Sequence, residues 1–325
     1  MSPESSPSNL YSHPGRLLEE HLLSVAESCK RIIVNTEIGT WDKKQLENLA
    51  YLIGLTHDLG KATKFFQEHL SSGEKSNDRH TYHASLSAVF LLYVLKDVQV
   101  DPFLKTIAYV SVKAHHSDLK CITEELGRIQ NSKDESKILI EQVRSIDESS
   151  FARLIENIRI NKFLEDNYNT SFSFGIENFI EFIQKDIDSY IGYLRVNLPF
   201  KKDKNETTYD YYLLLNLFFS ALLEGDKVDA AVKEEIDVKP FEIKQETIHE
   251  YKKTLPHEGD ISAIRDQVFR DTENNFQEII NKEPIPRVFF VTLPTGLGKT
   301  LIGFNLANIL RNKIISEQSI YYRIV

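Results

Sequence analysis

The feature that most constrains this chain is where its apolar runs stop. From Leu52 to Leu70 it reads LIGLTHDLGKATKFFQEHL. An apolar stretch ends on His57 and Asp58, with Gly60 and Lys61 close behind. Strong polar groups beside a core are costly unless something satisfies them. The arrangement recurs along the sequence. His21 sits on the helical pattern LLEEHLLSVAESCKRIIV (17–34). His83 opens the run HASLSAVFLLYVLK, His115 and His116 close FLKTIAYVSVKAHH, and Asp226 closes YDYYLLLNLFFSALLEGDK. The apolar spacing of these segments predicts helices, and two of them are apolar nearly all round, as buried helices are.

If the helix ends converge, the side chains meet. A lone helix histidine such as His21 is ordinarily a satisfied core or surface residue. Asp226 alone reads as a helix-end residue paired with Lys227. The ordered set His, His-Asp, His, His-His, Asp points instead to a metal site. A divalent cation would remove the cost of burying Asp58 and Asp226 together. Imidazole suits manganese, iron, nickel or zinc, and a shared carboxylate suits a pair of ions. No cysteine joins the set, which disfavours a structural zinc site.

The other histidines carry no such signal. His69 lies in a charged helical stretch, and His80 competes weakly with His83 from a polar loop. His13, His249 and His257 fall in segments that look irregular. Asp118 and Asp229 read as local caps or solvated charges.

Composition bounds the class. The 325 residues fit one large domain or two smaller ones, and a net charge of −9 excludes a globally basic nucleic-acid coat while leaving a local groove open. Two distant cysteines, Cys29 and Cys121, argue against a disulfide scaffold and fit a reducing compartment. The start MSPESSPSNLYSHPG lacks the pattern of a signal peptide, and no run is apolar enough to span a bilayer. The expectation is a cytoplasmic protein with no membrane partner. Residues 1–15 read as loose, and 120–190 as two or three surface helices. Residues 201–208 read as a charged loop, 237–260 as a linker, and 261–276 as an amphipathic helix.

A resemblance rests on these residues. HLLSVAE, LTHDLGKATKFFQ, HASLSA, AHHSDL and SALLEGDKVDA together resemble the HD superfamily of metal-dependent phosphohydrolases. More narrowly, they are similar to the HD nuclease domain of the CRISPR-associated nuclease-helicase of type I systems. The resemblance covers about residues 10–235 and implies a helical HD domain over 16–236. It also implies two divalent metals (Mn, Ni, Co or Fe, with Mg possible). One would take His21, His57, Asp58 and Asp226, and the other Asp58, His83, His115 and His116, with Asp58 bridging. Two such ions, about 3.5–4 Å apart, activate water and stabilise both oxygens of an in-line displacement at phosphorus. Lys61 would hold a non-bridging phosphate oxygen, and Gly60 would let the chain turn after Asp58.

A second signal is TLPTGLGKT (292–300). A phosphate-binding loop needs small residues so that backbone N–H groups face the phosphates. Gly296 and Gly298 supply that, Lys299 would reach the β/γ-phosphates, and Thr300 would reach the magnesium. The strict pattern has Gly at the position of Leu293. Helicase loops of the form P-T-G-x-G-K-T, which this one resembles, tolerate the departure. The segment RVFFVTL (287–293) reads as the preceding strand and TLIGFNLANILRN as the following helix.

The expected architecture is mainly α: a helical HD domain, then a short α/β fragment of a RecA-like helicase lobe over 261–325. The acidic helicase strand and second-lobe arginines are not in the sequence, so ATP hydrolysis is not expected of this chain, and ATP-Mg belongs to the full-length helicase only. Residues from about 285 onward are expected to lack sheet partners. The functional expectation is a metal-dependent nuclease of single-stranded DNA in type I CRISPR interference. A guide-RNA surveillance complex would recruit it in the full-length setting, since base pairing reads the sequence there. Two other readings stand beside it: an HD phosphohydrolase of nucleotides or cyclic dinucleotides, and a scaffold with a dead HD fold.

Overall fold

The computed structural model describes residues 6–36, 38–39, 41–73, 77–128, 133–199, 208–231, 244, 246–255, 259–282, 285–286 and 288–317. These residues are mainly helical, with one two-stranded antiparallel sheet, β1 (Tyr11–His13) and β2 (Arg16–Leu17). None of their helices is long and apolar enough to cross a membrane. The chain divides into two compact units, Met1–Glu235 and Ile236–Val325.

The first unit begins with α1 (Leu18–Val34), α2 (Lys43–Thr56), α3 (Lys64–Ser72), α4 (Ala84–Leu95) and α5 (Pro102–Ala114). Local chemistry sets several starts. Asp42 caps α2 by accepting from the Gln45 N–H, Thr63 caps α3 through the Phe66 N–H, and Asp101 followed by Pro102 opens α5. In α1, Leu18, Leu22, Val25, Ala26, Cys29 and Ile33 form one buried stripe. The helix α4 is buried along nearly its whole length.

Six shorter helices follow: α6 (Ile122–Arg128), α7 (Lys133–Arg144), α8 (Glu148–Asn157), α9 (Ile160–Tyr168), α10 (Ile176–Glu181) and α11 (Ile187–Val196). A π-helical turn over Phe182–Asp186 joins the last two. This region corrects the expectation of two or three surface helices. Phe151, Phe174 and Phe179 converge on Phe90 of α4, and Phe179 and Phe182 on Tyr93. The apolar residues are too widely spaced along short segments for their shared core to be read from periodicity. Helix α12 (Thr208–Ala231) then packs against α1, α2 and α5. The charged loop expected at 201–208 lies almost wholly outside the described residues.

The described N-terminal residues are packed, contrary to the expectation of a loose segment over 1–15. The Ser8 N–H and hydroxyl both donate to the Glu19 carboxylate, at 2.8 and 2.5 Å, and the Leu18 N–H donates to the Leu10 carbonyl. Long-range partners order a stretch whose composition alone reads as disordered.

Two glycines bring the core helices close. A Cβ on Gly54 of α2 would lie 2.6 Å from Ala26 Cα of α1. A Cβ on Gly60, in the 3₁₀ turn Leu59–Ala62, would lie 2.5 Å from the His83 carbonyl oxygen, and its N–H donates to Ser87 Oγ.

In the second unit, α13 (Glu246–Lys253), α14 (Asp260–Ile280) and α15 (Lys299–Glu317) are assigned. Part of the expected linker is therefore helical. Phe269, Phe276 and Ile280 of α14 bury against Ile302, Leu306 and Ile309 of α15. The strand expected over 287–293 is not formed: residues 288–294 have no regular secondary structure, and Arg287 lies outside the described residues. A strand needs a neighbour to take its backbone groups, and no described residue of this unit is in one.

Replacing Gly54 by Ala should force α1 and α2 apart at their closest approach. Overpacking of this kind costs about 1–3 kcal/mol, to be read as a lowered denaturation midpoint with unchanged helix content by circular dichroism.

Candidate metal centre

Helix ends build the site. His21 lies one turn into α1. His57 is the C-cap of α2, and Asp58 follows it into the 3₁₀ turn that carries Lys61. His83 is the N-cap of α4, His115 the C-cap of α5 with His116 next, and Asp226 lies on α12. All seven meet at one place. Asp58, His83, His115 and His116 offer ligand atoms within 4.8 Å of one another, and so do His21, His57, Asp58 and Asp226. Asp58 belongs to both sets.

The Asp58 carboxylate is fully buried, and its two oxygens face different partners. Oδ2 lies 3.1 Å from His21 Nε2, 3.5 Å from His57 Nε2 and 2.6 Å from Lys61 Nζ. Oδ1 lies 2.9 Å from His83 Nε2 and 3.3 Å from His115 Nε2. Asp226 Oδ1 closes the first set, 3.4 Å from His21 Nε2 and 3.6 Å from His57 Nε2. His116 Nε2 closes the second, 2.9 Å from His83 Nε2.

The outer ring nitrogens are already committed. His57 Nδ1 donates to the Gly54 carbonyl at 2.7 Å, and His115 Nδ1 to the Val112 carbonyl at 2.6 Å. Both acceptors sit in the last turn of their helix, where carbonyls lack intrahelical partners. His21 Nδ1 meets Asp229 Oδ2 at 2.7 Å. Each ring therefore aims Nε2 inward. His57 Nε2, His115 Nε2 and Asp58 Oδ1 make no hydrogen bond although all three are buried. Buried polar atoms without partners are rare and costly. Ring nitrogens of five imidazoles gathered about the buried Asp58, with Asp226 beside them, form a donor set that a divalent cation completes, so the residues fit a metal site.

The electrostatics agree. Burial pushes the Asp58 carboxyl up, but His57, Lys61, His83 and His115 together hold it well below the usual carboxylate range. Burial lowers His83 to about 4 and, with the neighbouring His115 and His83, lowers His116 to about 3. Both rings are neutral at pH 7, the state in which imidazole is a ligand. Burial would also lower His21, but Asp226, Asp229 and Asp58 raise it to about 10. Three carboxylates thus hold one proton where a cation would sit.

Asp229 is the residue that sequence reasoning missed. It is no solvated charge: its side chain is 6% exposed, and Arg16 Nη2 donates to its other oxygen at 2.8 Å. Its place three residues after Asp226, on the same helix face, was the available signal. His13, expected in an irregular segment, lies in β1 with its ring against His21. His80 stays outside the cluster, bound to Asp78 and Glu141. His69 is on α3, His249 is on α13 against Phe269, and His257 lies outside the described residues.

The loop residues Gly296, Gly298, Lys299 and Thr300 lie together in the second unit. Both glycines have positive φ, 90° and 80°, and α15 starts at Lys299. Lys299 Nζ donates to the Leu293 carbonyl and Arg265 Nε to the Gly296 carbonyl. A cleft of about 380 Å³ runs along this turn, lined also by Lys252, Asp266 and Phe269.

A helical domain that gathers histidines and aspartates at its helix ends in this order is of the HD type. Residues 14–168 match the family described as Cas3, HD domain. This part of the chain is thus a Cas3-type HD domain, a metal-dependent nuclease module of CRISPR systems that acts on nucleic acid. Asp226 and Asp229 lie beyond the matched residues and reach the site because α12 packs on α1. No curated protein matches the chain.

Two predictions follow from this geometry. Asp229→Asn should weaken divalent-metal binding about 10- to 100-fold by titration calorimetry, because Arg16 and His21 lose the charge that orients the ring. Hydrogen bonds to Asp78 and Glu141 raise the His80 pKa above its ordinary value. Its contribution is fully present below the unfolded value of about 6.5 and is lost as pH rises through the raised folded value. The stability difference between wild type and His80→Gln should shrink as pH rises above about 6.5 in urea denaturation.

Proposed function

We propose that the first unit hydrolyses phosphodiester bonds of single-stranded DNA with two divalent cations. One would be held by His21, His57, Asp58 and Asp226, and the other by Asp58, His83, His115 and His116. The observation that carries this reading is the division of Asp58: each carboxylate oxygen faces its own group of inward-aimed Nε2 atoms. Manganese, nickel, cobalt or iron suit the imidazole-rich set, and magnesium suits it less. When bound, the ions supply Lewis-acid polarisation of the phosphodiester and an activated water.

The chain's own residues do the rest. Asp58 stays ionised and spans both sets. His57 and His115 keep their tautomers because helix-end carbonyls hold Nδ1. Lys61, buried against Asp58, is the nearest cation and would turn to a non-bridging phosphate oxygen. Tight packing of α1, α2 and α5 excludes bulk water from His21, His57 and His115.

The second unit we read as a nucleotide-binding segment of a RecA-like helicase lobe, with Gly296, Gly298, Lys299 and Thr300 around the phosphates. Positive φ at both glycines and a helix starting at Lys299 support it. An ATP-driven helicase would feed the strand, and a guide-RNA complex would choose the target.

The test strips the protein of metal and adds back Mn²⁺, Ni²⁺, Co²⁺, Mg²⁺ or Zn²⁺ singly, with labelled single-stranded DNA and no ATP. Cutting that depends on the metal and disappears in Asp58→Ala is the expected result. Hydrolysis of a nucleotide or cyclic dinucleotide with intact DNA would replace the reading with a small-molecule phosphohydrolase. Inertness on every substrate and no bound metal would make it a scaffold.

A further inference from the structure

We propose that Tyr82 is a base-stacking residue at the mouth of the metal centre and makes the domain select unpaired DNA. The inference rests on the nuclease reading and adds the contact that distinguishes a single strand from a duplex.

The mouth is defined by burial. His21, His57, Asp58 and His115 are closed off, whereas His116 and the Ser117 and Asp118 that follow it are exposed. The cluster therefore opens beside the His83–His116 pair. Tyr82 immediately precedes His83, one peptide away from a ring nitrogen 2.9 Å from Asp58. Its side chain is out of the core: the residue is 59% exposed. Among the described residues its ring packs against no other aromatic ring.

An exposed tyrosine alone means little, but this one stands on a rigid pedestal. The Tyr82 N–H donates to the Arg79 carbonyl, and its carbonyl accepts from Gln142 Nε2 at 2.8 Å. The same amide donates to the His80 carbonyl, so one buried glutamine of α7 holds two carbonyls of the 3₁₀ turn Arg79–Thr81 and its C-cap. Thr81 Oγ1 donates to the Asp78 carbonyl, and the His80 ring bonds Asp78 and Glu141 and packs on Phe65. Nothing in the packing of the core requires a large apolar ring facing water at the end of this support. Fixing the backbone in advance removes part of the ordering cost of a contact.

Such a ring offers a face to any base, whatever its identity. Stacking on an aromatic side chain is tolerant of sequence and open only to a base not already stacked in a duplex. With one base held on Tyr82, the adjoining phosphate is brought to the opening beside His83 and His116. Neither a phosphate contact nor a cation can make that distinction, because both strand forms carry phosphates.

The test is binding by the metal-stripped protein, followed by fluorescence anisotropy. The probes are a labelled oligothymidylate and an abasic strand of equal length. Wild type should bind the base-bearing strand about tenfold more tightly than the abasic one. Tyr82→Ala should lose that preference, and Tyr82→Phe should keep it. A wild type with no preference, or a preference that survives in Tyr82→Ala, overturns the proposal. Metal-loaded cleavage by the same proteins separates the two readings. Base-dependent binding without cutting by any of them would leave the stacking site standing and remove the nuclease. Equal cutting of both strands by wild type and Tyr82→Ala would do the reverse.

Discussion

The fully buried carboxylate of Asp58 is the interaction around which the first unit is arranged. An ionised carboxylate out of water costs several kcal/mol unless charge or hydrogen bonds replace the lost solvent. Here the replacement comes from α1, α2, α4 and α5 and the turn bearing Lys61, each sending one or more cationic or potentially cationic groups to it. No single helix can satisfy both oxygens. The helices must therefore end where they do, and their ends must meet. The compensation remains incomplete, since Asp58 Oδ1 and two Nε2 atoms keep no hydrogen bond. A fold that leaves such a deficit at its centre has its stability linked to whatever fills it.

The close approaches follow from the same requirement. Gly54 lets α2 lie against Ala26, three residues before His57. Gly60 lets the turn after Asp58 rest on the His83 carbonyl, and its N–H bonds Ser87 at the start of α4. These contacts position the helices and do no chemistry. Together they set how closely the helices that carry the ring nitrogens approach one another. The π turn before α11 and the aromatic cluster around Phe90 support α4 from its other side.

Much of this was legible in the sequence, for a physical reason. Ligand residues at the ends of apolar runs break a pattern that is otherwise smooth, so His57, Asp58, His83, His115 and His116 stand out, and caps such as Asp42 and Asp101 are local signals. Asp229 was harder to read because its only local mark is its place three residues after Asp226. Its meaning depends on Arg16 and His21, more than 200 residues away. The helices between 120 and 190 hid their burial for a related reason: one or two aromatics per short helix give no periodicity, and the core they join is shared. The segment 288–293 misled in the opposite direction. Its β-branched and aromatic residues favour a strand, but propensity states only what a pleated neighbour would stabilise, and the described residues supply none.

The tautomers show how a helix end can do chemical work without a dedicated residue. An imidazole at a C-cap sits beside carbonyls that have lost their helical donors. Nδ1–H satisfies one of them, as with Gly54 and Val112, and the far nitrogen is then left deprotonated and aimed away from the helix. The backbone thereby selects the ligand form of His57 and His115, with no second acid needed. His21 sits near the start of its helix, where free carbonyls are absent. It needs a carboxylate for the same task, and Asp229 supplies it. The presence of Asp229 beside one histidine and its absence beside the other two is thus a consequence of which end of a helix each occupies.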